Sequence, residues 1–391
     1  MMIPSENITY TEVREAVGSV LMQKYAEGQP GKRYYQGNEV VDEIERLCED
    51  RALVVFGLSA EQWMANVQPH SGCEANLAVY NALLTPGDKM MSMYLPDGGH
   101  LSHGWQTPTK KITLVSKIFK VEFYHVDAKT SLFDYDQIEA QALKFKPKMI
   151  ISGGTAYPRT INHKKMSAIA KKVGAYYLAD IAHEAGLIAG GAFPSPFPYA
   201  DVVTMTTHKT LRGPRGAIII AKKELGPQID FAIMPGLQGG PHLHTIAGIA
   251  IALRLAQGKL FGKYARQVIA NAQTLASEFM RAGLKVVSGG TDKHLVLLDL
   301  RDRQTDGATV AQALEKVGII TNKNTVPFDT GSPIKPSGVR MGTPALTVRG
   351  MKETEMKLIA GFIIAVIKGQ SRVGEIKKQV FTLCKKFPIW Q

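Results

Sequence analysis

One lysine stands between a histidine and a polar turn in the stretch TMTTHKTLRGPRGAIII, Thr204 to Ile220, with Arg212 and Arg215 close behind it. A lysine in a turn is ordinarily a solvated surface group. Here the flanking segments ADVVTM and GAIIIA read as short, buried strands rich in β-branched residues, so Lys209 is held at the edge of a core. Desolvation and nearby positive charge both disfavour its ammonium form, which lowers the pKa and makes the amine a nucleophile toward a carbonyl. The natural use of such an amine is a Schiff base.

A Schiff base to pyridoxal phosphate needs a carboxylate that keeps the ring nitrogen protonated, so that the ring acts as an electron sink. In AYYLADIAHEAGL, Asp180 closes a buried strand and His183 follows where the chain turns toward a helix. Asp in that place is commonly a helix cap. Asp180 and Lys209 nevertheless fall one strand apart, both at strand ends, where ligand sites of α/β sheets form. A phosphate asks for backbone N–H groups at a helix start or in a glycine turn. PHSGCEANLAVYNALL offers them at Ser71-Gly72-Cys73, opening an amphipathic helix with Ala75, Leu77, Ala78, Leu83 and Leu84 as apolar positions. PGLQGGPH, with Gly239 and Gly240, offers a second such turn. One turn suffices for one phosphate, which leaves the other to a neighbouring subunit.

The elements that must carry these groups follow from periodicity. Residues 1–30 read as an arm too short and polar to be a domain. Over 31–255, strands such as KMMSM, KMIIS, YYLAD, DVVTM and AIIIA alternate with helical stretches, the pattern of a mainly parallel sheet. A long helical bridge, bent or broken at Gly258 or Gly262, opens the remainder, 256–391, which reads as a small α/β domain with two final helices. LIAGFIIAVI, the longest apolar run, is too short to span a bilayer and reads as a buried helix; no signal peptide precedes MMIPSEN.

Composition bounds the function without naming it. The 391 residues suffice for two domains, and 45% apolar with 21% charged residues describes an ordinary soluble globular protein. Cys48, Cys73 and Cys384 are unpatterned, so neither a disulfide framework nor a zinc or other metal site is indicated, and a reducing cytoplasm fits. The excess of 47 basic over 34 acidic residues, net +13, favours anionic partners. The basic residues are scattered and not interleaved with aromatics, which argues against nucleic acid.

Taken in order, KYAEGQPGKRYYQGNEVVDEIE, ANVQPHSG, GGHLSHG, AYPR, DIAHEAGL, TTHKTLRGPRG, LQGGPH, SGGTDKHLVLLDLR and NKNTVP closely resemble serine hydroxymethyltransferase. That family implies an α/β fold, the PLP-dependent transferase fold type I of aspartate aminotransferase, with a mainly parallel large-domain sheet and a smaller C-terminal α/β domain. It implies transfer of the serine hydroxymethyl group to tetrahydrofolate, giving glycine and methylene-tetrahydrofolate through an external aldimine with pyridoxal 5'-phosphate. It also implies a homodimer or dimer of dimers with shared active sites.

Roles carried over from the resemblance fall on particular residues of this chain. Lys209 is the Schiff-base lysine, with Thr206 and His208 beside it in the cofactor pocket and His208 counted among the catalytic groups. Asp180 pairs with the pyridinium nitrogen, His100 stacks on the ring, and His183 and Thr155 hydrogen-bond near the ring oxygen. Ser71, Gly72 and Cys73 hold the phosphate, with Gly239 and Gly240 reaching it from the partner subunit. Arg340 binds the substrate carboxylate by a bidentate fork, for which guanidinium is suited. Ser5, Tyr25, Glu27 and Tyr35 come from the partner chain near the substrate, Glu27 and Tyr35 serving catalysis and Glu27 handling the moving proton. Tyr34, Leu95, Leu101 and Asn324 line the pterin site.

Departures from the family pattern qualify the expectation. Cys73 replaces a serine in the phosphate turn, Thr155 replaces a serine near the ring, and Asp97 stands where histidine is common. The segment GLSAEQWMANV is longer than usual. The chain opens almost on its SEN motif, where relatives carry a preceding helix that clasps the dimer; a trimmed chain or a looser dimer follows. Thr155 and Asp97 motivate an alternative, a related aldolase acting on threonine or allo-threonine, or an α-methylserine hydroxymethyltransferase. A basic binding or regulatory homologue without activity is the third reading, against which the joint presence of Lys209, Asp180, His100 and Arg340 speaks.

Overall fold

A computed structural model describes residues 1–370 and 373–389. Seven strands make the main sheet: β1 (Trp63–Asn66), β2 (Lys89–Met93), β3 (Lys120–Tyr124), β4 (Met149–Ser152), β5 (Tyr176–Asp180), β6 (Val202–Thr206) and β7 (Ala217–Lys222). Their spatial order is β1-β7-β6-β5-β4-β2-β3; β6 through β3 are mutually parallel, whereas β7 runs antiparallel to both β6 and β1. The central strands MIIS and VVTMT are buried at every position, which is why they read as continuous apolar runs. Alternate residues feed opposite faces. Met91, Ile150, Tyr177, Val203 and Ile220 enter one core, and Met90, Met149, Leu178, Val202 and Ile219 the other.

A second, antiparallel sheet carries the C-terminal region: β8 (Lys285–Val286), β9 (Leu295–Asp299), β10 (Asn322–Asn324) and β11 (Gly338–Gly342), ordered β8-β9-β11-β10. The expected bridge between the sheets is two helices, α2 (Leu243–Ala256) and α3 (Lys259–Arg281), separated at Gly258, whose extended backbone caps α3. Gly262 lies inside α3 and does not break it. Phe261, Tyr264 and Val268 of α3 sit in the main core, while Leu275, Ala276 and Phe279 sit in the smaller one, so α3 is a beam shared by both.

The helix Glu353–Ile367 buries Ile359, Ala360, Phe362 and Ile363 and turns Leu358 outward, so the run LIAGFIIAVI is half-buried, not wholly buried. Among the described residues no helix is long and apolar enough to cross a membrane. Residues 1–30 thread across both sheets: Met2 exchanges backbone hydrogen bonds with Ile320 and Gly342, and Asn7 Nδ2 donates to the carbonyl of Lys209 and to the Tyr264 hydroxyl.

Candidate active site

Parallel pairing brings the ends of β5 and β6 side by side, with Asp180 level with Thr204, and the chain beyond Thr206 then turns back over the sheet edge to place Lys209. The loop after β4 hugs the same point. Gly153, at φ +118°, leaves no room for a side chain, because a Cβ there would sit 2.0 Å from the Asp180 carbonyl oxygen. On the other side, Ser71 caps α1 (Gly72–Leu83), its hydroxyl accepting from the Glu74 N–H at 3.4 Å. A Cβ on Gly72 would lie 2.6 Å from Thr206 Cγ2, so the helix start lies close against the end of β6.

Ser71, Gly72, Cys73, His100, Thr155, Asp180, His183, Thr206, His208, Lys209 and Arg340 all line one cavity of about 430 Å³. Ser5 lines it too, from the same chain, which corrects the expectation that Ser5 is supplied by the partner: backbone bonds of Met2 to the small sheet lay the arm across this cavity. A larger cavity of about 580 Å³ beside Lys263, Arg266 and Lys352 contains none of the expected site residues. Tyr25, Glu27, Tyr34, Tyr35, Leu95, Leu101, Asn324, Gly239 and Gly240 do not line the Lys209 cavity. Five of these lie together away from it: the exposed Tyr35 packs edge-on against Tyr25 at 5.1 Å and Tyr34 at 5.2 Å, and a Cβ added to Gly239 would lie 3.0 Å from Oε1 of the partly buried Glu27.

Electrostatics differ from the sequence expectation in one respect. Burial lowers the Lys209 pKa, Asp180 opposes that effect, and the further lowering comes from Arg340. Arg212 is turned away, its guanidinium stacked 3.9 Å from the Tyr10 ring centre and donating to the Ile8 carbonyl. The Lys209 Nζ has no hydrogen-bond or ion-pair partner among the described residues. Burial would raise the Asp180 pKa, but bonds from His103 Nε2 (3.0 Å) and Asn76 Nδ2 (2.8 Å) outweigh it and hold the carboxyl well below the usual range. Its second oxygen accepts from the Ala182 N–H. Burial pushes His100 down to about 4 and His208 down to about 3, so both rings are neutral near pH 7. Arg340 is buried, which lowers its pKa to about 10; it donates to Asn322 and to the Thr155 carbonyl and has no carboxylate partner among the described residues.

His103, Asn76 and Ser102 were absent from the sequence expectation. His103 lies in GGHLSHG, and Asn76 interrupts the apolar face of α1, where a buried amide requires a partner. Among the described residues, His100, His103 and Asp180 form one group whose potential metal-ligand atoms lie within 4.8 Å of one another, but His103 and Asp180 are already bonded to each other.

A partnerless buried amine, an ionised carboxylate one strand away, a helix start and an arginine free of carboxylates fit a phosphorylated pyridine aldehyde and an amino acid. The comparisons with known proteins decide the family. The model of the serine hydroxymethyltransferase family matches residues 1–363. The chain belongs to the serine hydroxymethyltransferase family. It is 48% identical over 388 residues to the mitochondrial serine hydroxymethyltransferase of Schizosaccharomyces pombe, covering 96% of this chain and 79% of that protein. It is 49% identical over 378 residues to the cytosolic one of Candida albicans (93% and 80%), and 48% identical over 392 residues to that of Acidobacterium capsulatum (100% and 90%). As a serine hydroxymethyltransferase of fold type I, it is a pyridoxal-phosphate enzyme that interconverts serine and glycine with tetrahydrofolate as co-substrate.

The departures from the family pattern have structural settings. The Cys73 side chain is exposed to the cavity, and the Thr155 carbonyl braces Arg340. Asp97 is buried and accepts from His125 Nδ1 at 2.8 Å and the Val126 N–H, so it anchors the β2 loop to the end of β3.

Proposed function

We propose that the serine-to-glycine reaction is run by the residues that converge on Lys209. The observation that carries this assignment is that Lys209 and Asp180, from neighbouring strand ends, open on one cavity with the small-domain Arg340. When bound, pyridoxal phosphate supplies an electron sink that delocalises the carbanion left by loss of the hydroxymethyl group. Lys209 would hold it covalently, Asp180 would keep its ring nitrogen protonated, and His100 would cover a ring face. His183 and Thr155 would bond near its ring oxygen, and Thr206 and His208 would complete the wall beside the lysine. The N–H groups at Ser71, Gly72 and Cys73 would hold its phosphate.

Arg340 takes the substrate carboxylate, because its guanidinium faces the cavity without a carboxylate of its own and presents a planar fork. Fixing the carboxylate orients the amino acid so that one bond at Cα is selected for cleavage. Ser5 lies within the same wall, in reach of a bound amino acid.

The exposed Tyr25, Tyr34 and Tyr35, the partly buried Glu27 and the Gly239–Gly240 turn belong, on this reading, to the neighbouring subunit's active site in a homodimer or dimer of dimers. Large aromatics exposed together favour such an interface. Glu27 then moves the proton and Tyr35 supports it, while Tyr34, Leu95, Leu101 and Asn324 line the pterin site. The chain divides into an arm (1–30), a large domain (31–255) and a bridging-helix and small domain (256–391), a division supported by the two separate cores. Three free cysteines favour a reducing compartment, the cytoplasm.

The test is glycine formation from serine by purified protein loaded with pyridoxal phosphate, with and without tetrahydrofolate. Strong dependence on tetrahydrofolate together with its loss in Lys209→Ala supports the assignment. Turnover retained in Lys209→Ala overturns it.

A further inference from the structure

Two consecutive residues of the large domain, His183-Glu184, face two consecutive residues of the small domain, Lys293-His294. His183 Nδ1 and His294 Nε2 are 3.0 Å apart, and the Lys293 ammonium donates to Glu184 Oε1. Lys293 is 0% exposed and Glu184 4%, so this is a charge pair withdrawn from water. The other tie nearby, Arg159 to Asp292 at 2.8 Å, is partly solvated. Removing charges from water is costly unless they meet in close geometry, so a buried pair tolerates displacement poorly. The second Glu184 oxygen has no partner, which leaves Lys293 as its main anchor.

His294 lies one residue before β9, and β9 pairs with β11 in a register that sets Leu297 opposite Arg340; the Thr343 N–H also bonds the His294 carbonyl. Whatever fixes Lys293-His294 therefore fixes Arg340 through the same sheet. Glu184 is held by the chain that ends β5, next to Asp180. The pair thus connects the element carrying Asp180 to the sheet carrying Arg340.

We propose that Glu184 and Lys293 are positioning residues that set the register of the small domain over the cofactor pocket, holding Arg340 and the His183–His294 contact in place. The proposal rests on Arg340 being the carboxylate-binding group. Neither residue touches the cavity; they act through the histidines and the small sheet.

The test is the paired variant Glu184→Met/Lys293→Met, which removes the bond without leaving a lone buried charge. The expected result is a folded apoprotein, a KM for serine raised about tenfold, kcat within about threefold, and changed ring ¹⁵N signals of His183 and His294 in the apoprotein. Lys293→Met alone should be less stable than the pair, and the exchange Glu184→Lys/Lys293→Glu should restore part of the KM. Unchanged KM and histidine signals in the paired variant overturn the proposal, and so does failure of that variant to fold, which would make the pair purely structural. If Arg340→Lys leaves the serine KM unchanged, it is the carboxylate assignment that fails, and the apoprotein histidine signals still report on the pair.

Discussion

His103 Nε2 lies 3.0 Å from Asp180 Oδ2, and Asn76 Nδ2 reaches the same oxygen at 2.8 Å. One carboxylate oxygen is thereby committed to two donors, from the loop after β2 and from α1. The carboxyl stays ionised despite burial because these donors favour the charged form. Asp180→Asn keeps the shape and removes the charge; turnover of serine is expected to fall on the order of 10²–10³-fold. An unchanged kcat would show that the charge is not used.

Arg340 makes its bonds with Asn322 and the Thr155 carbonyl, leaving part of the fork facing the cavity. Lysine at that position supplies a point charge and no planar pair of donors. Arg340→Lys is expected to raise the KM for serine by about one to two orders of magnitude, the worth of a charge-assisted hydrogen bond. Steady-state kinetics with varied serine reads this directly.

Buried histidines make the apoprotein acid-sensitive. His163 is lowered to about 4, as is His100, and His208 to about 3, with burial the leading cause in each. In the unfolded chain the same rings titrate near 6.5. Between those values the unfolded state binds more protons, so stability present above pH 6.5 is lost as pH falls toward 4. Urea unfolding at pH 7 and pH 5 should differ by a few kcal/mol in total, and His163→Gln should reduce the difference by roughly 1–2 kcal/mol. Equal midpoints at the two pH values would contradict the burial of these rings.

Cys73 offers a thiol where a hydroxyl would be a better donor to phosphate. Cys73→Ser is therefore expected to tighten pyridoxal phosphate binding by about tenfold or more, the equivalent of roughly 1.5–3 kcal/mol for a hydrogen bond to a charged group. Titration of the apoprotein by absorbance measures the change. Equal dissociation constants would place the thiol away from the phosphate.

Arg33 joins Asp42 (2.8 Å) and the fully buried Glu45 (2.5 Å) and also donates to the carbonyls of Ala26 and Gly28. It thus braces the loop that presents Tyr25, Glu27 and Tyr35. Arg33→Met strands Glu45 in the core and is expected to cost about 3–5 kcal/mol, whereas a further Glu45→Met should recover much of it. Urea midpoints of the two variants give the comparison.

The local signals were strong where chemistry and backbone coincide. Buried apolar runs marked β5, β6 and β7, β-branched in the last two, and Asp180 at the end of β5 and Lys209 in the turn after β6 share a cavity because parallel neighbours end on the same side of a sheet. The helix start at Ser71-Gly72 was legible because a Ser-Gly pair before an amphipathic run is a cap signal, and Ser71 does cap that helix.

Sequence by itself determined the alternation of strands and helices, the lysine and the carboxylate at adjacent strand ends, and, through its motifs, the family. Tertiary structure decided which groups surround them. Ser5 joins its own chain's cavity because the arm docks on the small sheet; Arg212 faces aromatics while Arg340 supplies the charge near Lys209; the bridge breaks at Gly258 and not at Gly262. His103 meets Asp180 across 77 positions of chain, and Lys293 meets Glu184 across 109. Periodicity and propensity act over a few residues, so they fix which face a side chain takes; partners this distant are fixed by sheet order and by the burial of each polar group against the one donor or acceptor that packing brings within reach.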